Sequence, residues 1–382
     1  MTFLDDSPSF PGRRPEANGA GPAGGVEGVA MLLTDDATAH PSPWRPLDPF
    51  PMPPPHLLTG VAATAPDDVW AVGQAHGRPL AAHWDGETWS VPPGPAPSAA
   101  AIGAGLEGVA AGPTDGPGGP AATVIAVGGA YDRLLGTEVP LIRQWNGAAW
   151  EEAAAPALPG GPDTARDYVL TDVAMVGPAE AWAVGHGFGP RAPLIALRWR
   201  DGRWRMVDGP SGVHRGKLLA VCGTSPRDVW AVGAAGREGL IAHFDGTAWR
   251  RVPAPATRFP LTDVTATAPD DAWCAGGDSL LHWDGRTWAP VEVPVESVNT
   301  VTAFSSADVW VGGARGDLAH YDGRRWRRVP APERLRDATV WRASTATDAR
   351  RGGPAVWMVG SRRFGAATAS AGKGVTARHG EP

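Results

Sequence analysis

The stretch LTGVAATAPDDVWAVG at residues 58–73, followed by LAAHWDGETWSVP at 80–92, parses as four short strands separated by turn residues. Strand A reads L-T-x-V-x-A, strand B V-W-A-V-G, strand C L-x-A-H-W and strand D W-x-V-P. The Asp-Gly between C and D supplies the positive φ that a tight hairpin needs. The P-x-D between A and B is turn chemistry, with its Asp expected to hold backbone N–H groups.

The same pattern returns along the chain. LTDVAMVGPAEAWAVG (170–185) precedes LIALRWRDGRWRMV (194–207), and LLAVCGTSPRDVWAVG (218–233) precedes LIAHFDGTAWRRVP (240–253). LTDVTATAPDDAWCAG (261–276) precedes LLHWDGRTWAPV (280–291), and VNTVTAFSSADVWVGG (298–313) precedes LAHYDGRRWRRVP (318–330). A looser copy runs through LEGVAAG (106–112), TVIAVGG (123–129) and LIRQWNGAAW (141–150). The last copy has ATVWRAS (338–344), AVWMVGS (355–361) and VTARHGE (375–381). The strand-B marker falls at Trp70, Ile125, Trp182, Trp230, Trp273, Trp310 and Trp357. Four-stranded units repeating every ~40–50 residues are the blades of a β-propeller. The expectation is all-β: a seven-bladed β-propeller of four-stranded antiparallel blades. The last copy lacks a strand D, and PWRPL (43–47) is expected to supply it, with Trp44 on its outer edge. An N-terminal strand completing the C-terminal blade would remove the raw edges of the ring.

Composition agrees. The chain has 382 residues, with 51 Gly, 40 Pro and 18 Trp. That Gly/Pro density breaks long helices, while 43% hydrophobic residues exclude a wholly disordered chain. Strands B, C and D account for every Trp except Trp341, which is read onto the strand-A position of Val264 and Val301. The indoles are therefore packing between blades. A net charge of −6 gives no footprint for nucleic acid, and no stretch approaches a membrane span. Residues 1–40 read as a largely disordered Gly/Pro/Ala-rich tail in which Val29–Leu33 could add a strand, and 41–382 as the single propeller domain. With no secretory leader in the sequence, the expected location is cytoplasmic and the expected state monomeric. Cys222 and Cys274 are expected reduced and buried. No motif asks for a cofactor or metal.

D-V-W-A-V-G followed by H-W-D-G-x-x-W resembles the Trp-rich β-propeller repeat proteins common in GC-rich bacteria, of the broad kelch, Asp-box and tectonin-like group. The turns at 85–89 and 284–288 are similar to the Asp-box hairpin of sialidases, without its opening Ser and without the sialidase arginine triad or Tyr-Glu pair. The resemblance implies a fold rather than an activity.

Residues that recur in every blade are structural. His83, His243, His282 and His320 share one strand-C slot, and Asp68, Asp228, Asp271 and Asp308 one turn slot. The informative residues break the repeat. The long B→C and D→A loops of blades 2 to 4 share one face and carry Tyr131, Arg133, Arg166, Tyr168, His186, Arg191, His214 and Arg215. Arg133, Arg166, Arg191 and Arg215 offer guanidinium forks to an anionic ligand. Tyr131, Tyr168, His186 and His214 are the candidates for proton transfer. Asp172 and Asp263, near the start of strand A, could face the channel and hold a cation. Asp348, Arg350 and Arg351 mark a weaker surface on the opposite face. The function expected is binding or scaffolding of a small molecule, peptide or protein through the loop-rich face. The alternative is a small-molecule or peptide tailoring enzyme, a lyase, cyclase or hydrolase, with its site in the same face.

Overall fold

The computed structural model describes residues 26–34, 45–46, 51–113, 122–158, 167–188, 193–213, 215–331, 335, 338–348, 352–363 and 372–378. Two strands lie near the start of the chain, β1 (Val26–Thr34) and β2 (Arg45–Pro46). Six four-stranded antiparallel blades follow. Blade 1 is β3 (His56–Ala65), β4 (Asp68–Ala75), β5 (Arg78–Trp84) and β6 (Trp89–Ser90). Blade 2 is β7 (Ala101–Pro113), β8 (Ala122–Asp132), β9 (Thr137–Trp145) and β10 (Trp150–Glu152). Blade 3 is β11 (Tyr168–Gly177), β12 (Glu180–Gly187), β13 (Leu194–Arg200) and β14 (Arg203–Met206). Blade 4 is β15 (Lys217–Ser225), β16 (Asp228–Ala235), β17 (Glu238–Phe244) and β18 (Trp249–Arg251). Blade 5 is β19 (Asp263–Ala268), β20 (Asp271–Gly276), β21 (Ser279–Trp283) and β22 (Trp288–Pro290). Blade 6 is β23 (Thr300–Ser305), β24 (Asp308–Gly312), β25 (Leu318–Tyr321) and β26 (Trp326–Arg328). The chain ends in β27 (Ala338–Asp348), β28 (Gly352–Arg363) and β29 (Gly372–Arg378).

The expectation of seven four-stranded antiparallel blades is corrected to six. The last copy keeps only the β27–β28 hairpin in blade register. β1 lies between β28 and β29, antiparallel to the former over its whole length and parallel to the latter. Direct β28–β29 pairing is confined to Arg362↔Lys373 and Arg363↔Gly372. The physical reason is in the sequences. VEGVAMLLT offers a continuous apolar run, whereas GKGVTAR opens on two glycines that weaken a strand. β2 pairs with the outer side of β29, Arg45 opposite Arg378. Trp44 itself lies outside the described residues. This terminal sheet sits between blades 6 and 1, with β27 against β23 and β3.

Neighbouring blades are joined by one aromatic contact repeated around the molecule. The strand-B Trp of blades 1, 3, 4 and 5 meets the strand-D Trp of the next blade edge to face, and blade 2 carries Ile125 in that position. Trp70–Trp150, Trp182–Trp249 and Trp230–Trp288 lie 5.1–5.2 Å apart between centroids at 86–88°. Most of these buried indole N–H groups have no conventional acceptor.

The recurring Asp does not cap backbone N–H groups as expected. Asp68, Asp228, Asp271 and Asp308 each accept from the strand-C His at 2.7–2.8 Å. Thr64, Thr224 and Thr267 donate to the second oxygen of the first three. Each imidazole lies on the strand-B indole, 4.0 Å away for Trp273–His282 and Trp310–His320. Blade 3 replaces the pair with Glu180–Arg198 at 2.6 Å, its guanidinium 5.5 Å over Trp182. Backbone capping falls instead to the Asp of the C–D turn. Asp85 Oδ1 accepts from Glu87 N and Thr88 N at 2.9 and 2.7 Å, and Gly86 takes φ +97°.

Candidate functional site

Blade 2 carries a long hairpin on the D→A/B→C face, because β8 and β9 extend past the strand-B marker to a turn at 133–136. Asp132 organises that turn. Its Oδ1 accepts from Leu134 N and Leu135 N at 2.8 and 3.0 Å, and its carbonyl accepts from Gly136 N at 2.8 Å. Gly136 has φ +69°, where a side chain would be strained. The hairpin is braced on both sides. Arg133 N donates to Ala100 O at 3.0 Å, and Thr137 Oγ1 donates to Asp167 Oδ1 at 2.5 Å. The result is a stiff tip that holds apolar side chains in solvent. Leu134 is 87% exposed and Leu135 65%, with Ile102 and Tyr131 cross-strand neighbours beneath them and also exposed. Large apolar side chains concentrated in this way mark interaction surfaces more often than isolated ones do.

The residues expected to form a pocket over blades 2 to 4 divide. Tyr131 and Arg133 belong to the hairpin and are exposed, and Arg215 is exposed at the start of blade 4. His186 is half-buried at the end of β12, its Nδ1 3.3 Å from Gly187 O and its ring against Phe188. Tyr168 is fully buried at the start of β11 and donates to Pro156 O at 2.7 Å. It closes the core between blades 2 and 3 and does not reach the face. Arg166, Arg191 and His214 lie outside the described residues, as do Arg350 and Arg351. Asp348 pairs through its backbone with Gly352.

Asp172 and Asp263 do face the channel, and the cation they hold is Arg342. β-Bulges set the alignment. Val340 opposes Gly360 as Leu58 opposes Gly73, and the next residue bulges out in both. Trp341 therefore takes the bulge slot of Thr59, correcting its sequence placement, and donates to Ser361 Oγ at 2.8 Å. Arg342 takes the slot of Asp172 and Asp263. Its Nη2 lies 3.7 Å from Asp172 Oδ2 and its Nη1 3.9 Å from Asp263 Oδ1. It also donates to Leu219 O and Thr262 O at 3.0 and 2.7 Å. Val221 N donates to Asp172 Oδ2 at 3.0 Å, and Thr300 Oγ1 and Val301 N to Asp263 Oδ2 at 2.5 and 3.1 Å. Burial pushes Asp172 up to about 6, although Arg342 pulls the other way, and it raises Asp263 against the same pull. Among the described residues no group of three or more His, Cys, Asp or Glu is placed to hold a metal ion.

Cys222 and Cys274 are free thiols, and burial drives both well above the ordinary thiol range. No described helix is long and apolar enough to cross a membrane.

No family model matches the sequence, and no curated protein matches it. Solved structures match the fold. YCF48 bound to a D1 peptide is 13% identical with TM-score 0.53, covering 88% of this chain and all of that one. The WD40 β-propeller domain of Doa1 is 10% identical with TM-score 0.53, covering 83% and 96%. YCF48 from Cyanidioschyzon merolae is 17% identical with TM-score 0.52, covering 84% and 98%. At these identities the likeness defines the class by fold alone: a β-propeller.

Proposed function

We propose that this propeller is a binding or scaffold protein that docks a peptide or protein segment on its D→A/B→C face, at the blade-2 hairpin. The observation that carries the reading is the braced tip, where Asp132 holds Leu134 and Leu135 out of the core. Rigid presentation lowers the entropy lost on docking, and apolar anchors supply the area that a partner buries. Arg133 and Arg215 are exposed and favour acidic groups beside the apolar anchor. Arg166 and Arg191 are assigned the same role, and Tyr131 and His186 hydrogen bonding at the rim. One similar structure, YCF48, is bound to a D1 peptide, which lends the peptide reading support by analogy only. The kelch, Asp-box and tectonin-like kinship stays part of this reading, supported by the Asp-capped D-G-x-x-W turns. So do a cytoplasmic location and a monomeric state, the former supported by two free thiols.

The test is a photo-crosslinking amino acid at position 135 in cells. The reading expects a discrete protein adduct that excess wild-type protein suppresses and the L134S/L135S double variant does not. Failure of the adduct to form, or equal competition by both proteins, overturns it. An adduct with a second copy of the chain would make the tip a self-association surface instead.

A further inference from the structure

Arg143 breaks the repeat in a slot that every other blade fills with a buried apolar residue. It opposes Ala126 in strand B, as Ala82 opposes Ala71, Leu197 opposes Ala183, Ala242 opposes Ala231, Leu281 opposes Cys274 and Ala319 opposes Val311. The residue is only 5% exposed. Its Nη2 donates to Pro95 O at 2.8 Å, while its Nε makes no hydrogen bond. Among the described residues no carboxylate lies within 4.0 Å of the guanidinium. Glu152, its cross-strand neighbour, is exposed and acts only at longer range. A buried cation without a counter-ion carries a desolvation cost that an anion relieves.

The surroundings form a place for that anion. A groove of about 260 Å³ runs between blades 1 and 2, walled by Val91, Pro92, Pro97 and Trp150, with Arg78 at its rim and Arg143 at its base. The proline-rich link passes directly over it: a Cβ on Gly94 would sit 3.5 Å from Arg143 Nη1 and 3.1 Å from the Trp150 side chain. The glycine lets the link backbone pass this close to Arg143 and Trp150 without a clash. Trp150 N donates to Pro93 O at 2.9 Å and pins the link to the blade. Apolar walls with one charged group at the base are the usual make-up of a small-ligand site.

We infer that this groove binds a carboxylate carried on a small apolar group, with Arg143 as its counter-ion and Arg78 as a second positive charge at the mouth. Leu134 and Leu135 do not line the groove, so the inference stands apart from the docking reading above.

Calorimetric titration of the full chain at constant ionic strength tests it with four probes: N-acetylleucine, its amide, N-acetyl-alanyl-alanyl-leucine, and that peptide's amide. At least one acid is expected to bind roughly tenfold or more tighter than its amide, as charge-assisted pairing requires. R143L should remove that preference. Leucine is the native residue of this slot in blades 3 and 5, so the variant should melt no lower than wild type. R78A should weaken binding by a smaller factor, and L134S/L135S should leave it unchanged. Binding of the tripeptide acid alone would point to a peptide C-terminus, and binding of both acids to a small carboxylate. Equal affinity for acid and amide, retained binding in R143L, or no binding of any probe at millimolar concentration overturns the inference.

Discussion

Trp357 of the terminal sheet meets Trp89 of blade 1 edge to face, with 5.8 Å between ring centroids and 88° between planes. This is the same joint that links blade 1 to blade 2 and blade 4 to blade 5. The terminal sheet has irregular strand order, yet its contact with blade 1 is regular. Chain ends far apart in sequence are thus held by the packing that holds consecutive blades.

That equivalence predicts the cost of cutting the joint. Trp357 is fully buried, and Trp357→Ala should destabilise by about 3–5 kcal/mol through the cavity it leaves. Trp89→Ala empties the other half of the same contact. The double variant should therefore lose less than the two single losses combined. Urea unfolding of the three proteins checks this, and strict additivity would mean that the rings act independently.

Arg342 should be the costliest charged residue to remove. Arg342→Ala strands two buried carboxylates, Asp172 and Asp263, and should cost about 3–5 kcal/mol. Adding Asp172→Asn and Asp263→Asn to that variant removes the stranded charges and should recover part of the loss. A triple variant less stable than R342A alone would show that the carboxylates are held by their backbone and Thr300 donors rather than by the guanidinium.

The blade pattern was legible because each strand announces itself locally: V-W-A-V-G, H-W-D-G and the closing Trp fall at fixed offsets. What lay beyond reading was long-range pairing. β1 enters the terminal sheet between β28 and β29 because its apolar run outcompetes a glycine-rich strand, a choice made only in three dimensions. Arg342 was hidden by a bulge. Reading Trp341 onto the Val264 slot shifts the strand by two residues and moves the channel arginine out of register. The candidate face was legible from its insertions. Yet Tyr168 looked like a loop residue and is the buried first residue of β11. Leu134 and Leu135 are apolar residues in a loop, and their exposure is set by the hairpin fold rather than by any local sequence pattern. Arg143 carried a usable signal, an arginine in a slot that is apolar in the other blades.

Two groups should give opposite pH dependence in the same window. Burial lowers His56 to about 4 from 6.5. Its stabilising contribution is present above pH 6.5 and is lost as pH falls toward 4, because the unfolded chain takes up the proton first. Asp172 sits at about 6, above the ordinary 3.8. Its contribution is fully present below pH 3.8 and is lost as pH rises through 6. Relative to wild type, His56→Asn should therefore gain stability on going from pH 7 to pH 4.5, while Asp172→Asn should lose it. Denaturant titrations across that range decide, and parallel curves for wild type and both variants would contradict the assignment.

The hairpin tip separates binding from folding. Leu134 and Leu135 are exposed, so L134S/L135S should change stability by no more than about 0.5 kcal/mol. Asp132→Ala acts differently, because it removes the acceptor for two backbone N–H groups and loosens a turn whose apolar side chains remain in place. If the tip docks a partner as a rigid anchor, the serine double variant should lose binding through faster dissociation. D132A should weaken it less, by the entropy of re-ordering the turn. Hydrogen exchange at 133–136 would report the loosening directly, and surface plasmon resonance with the crosslinked partner the two rates. Binding lost in D132A but kept in L134S/L135S would mean that the backbone or the carboxylate, and not the leucines, makes the contact.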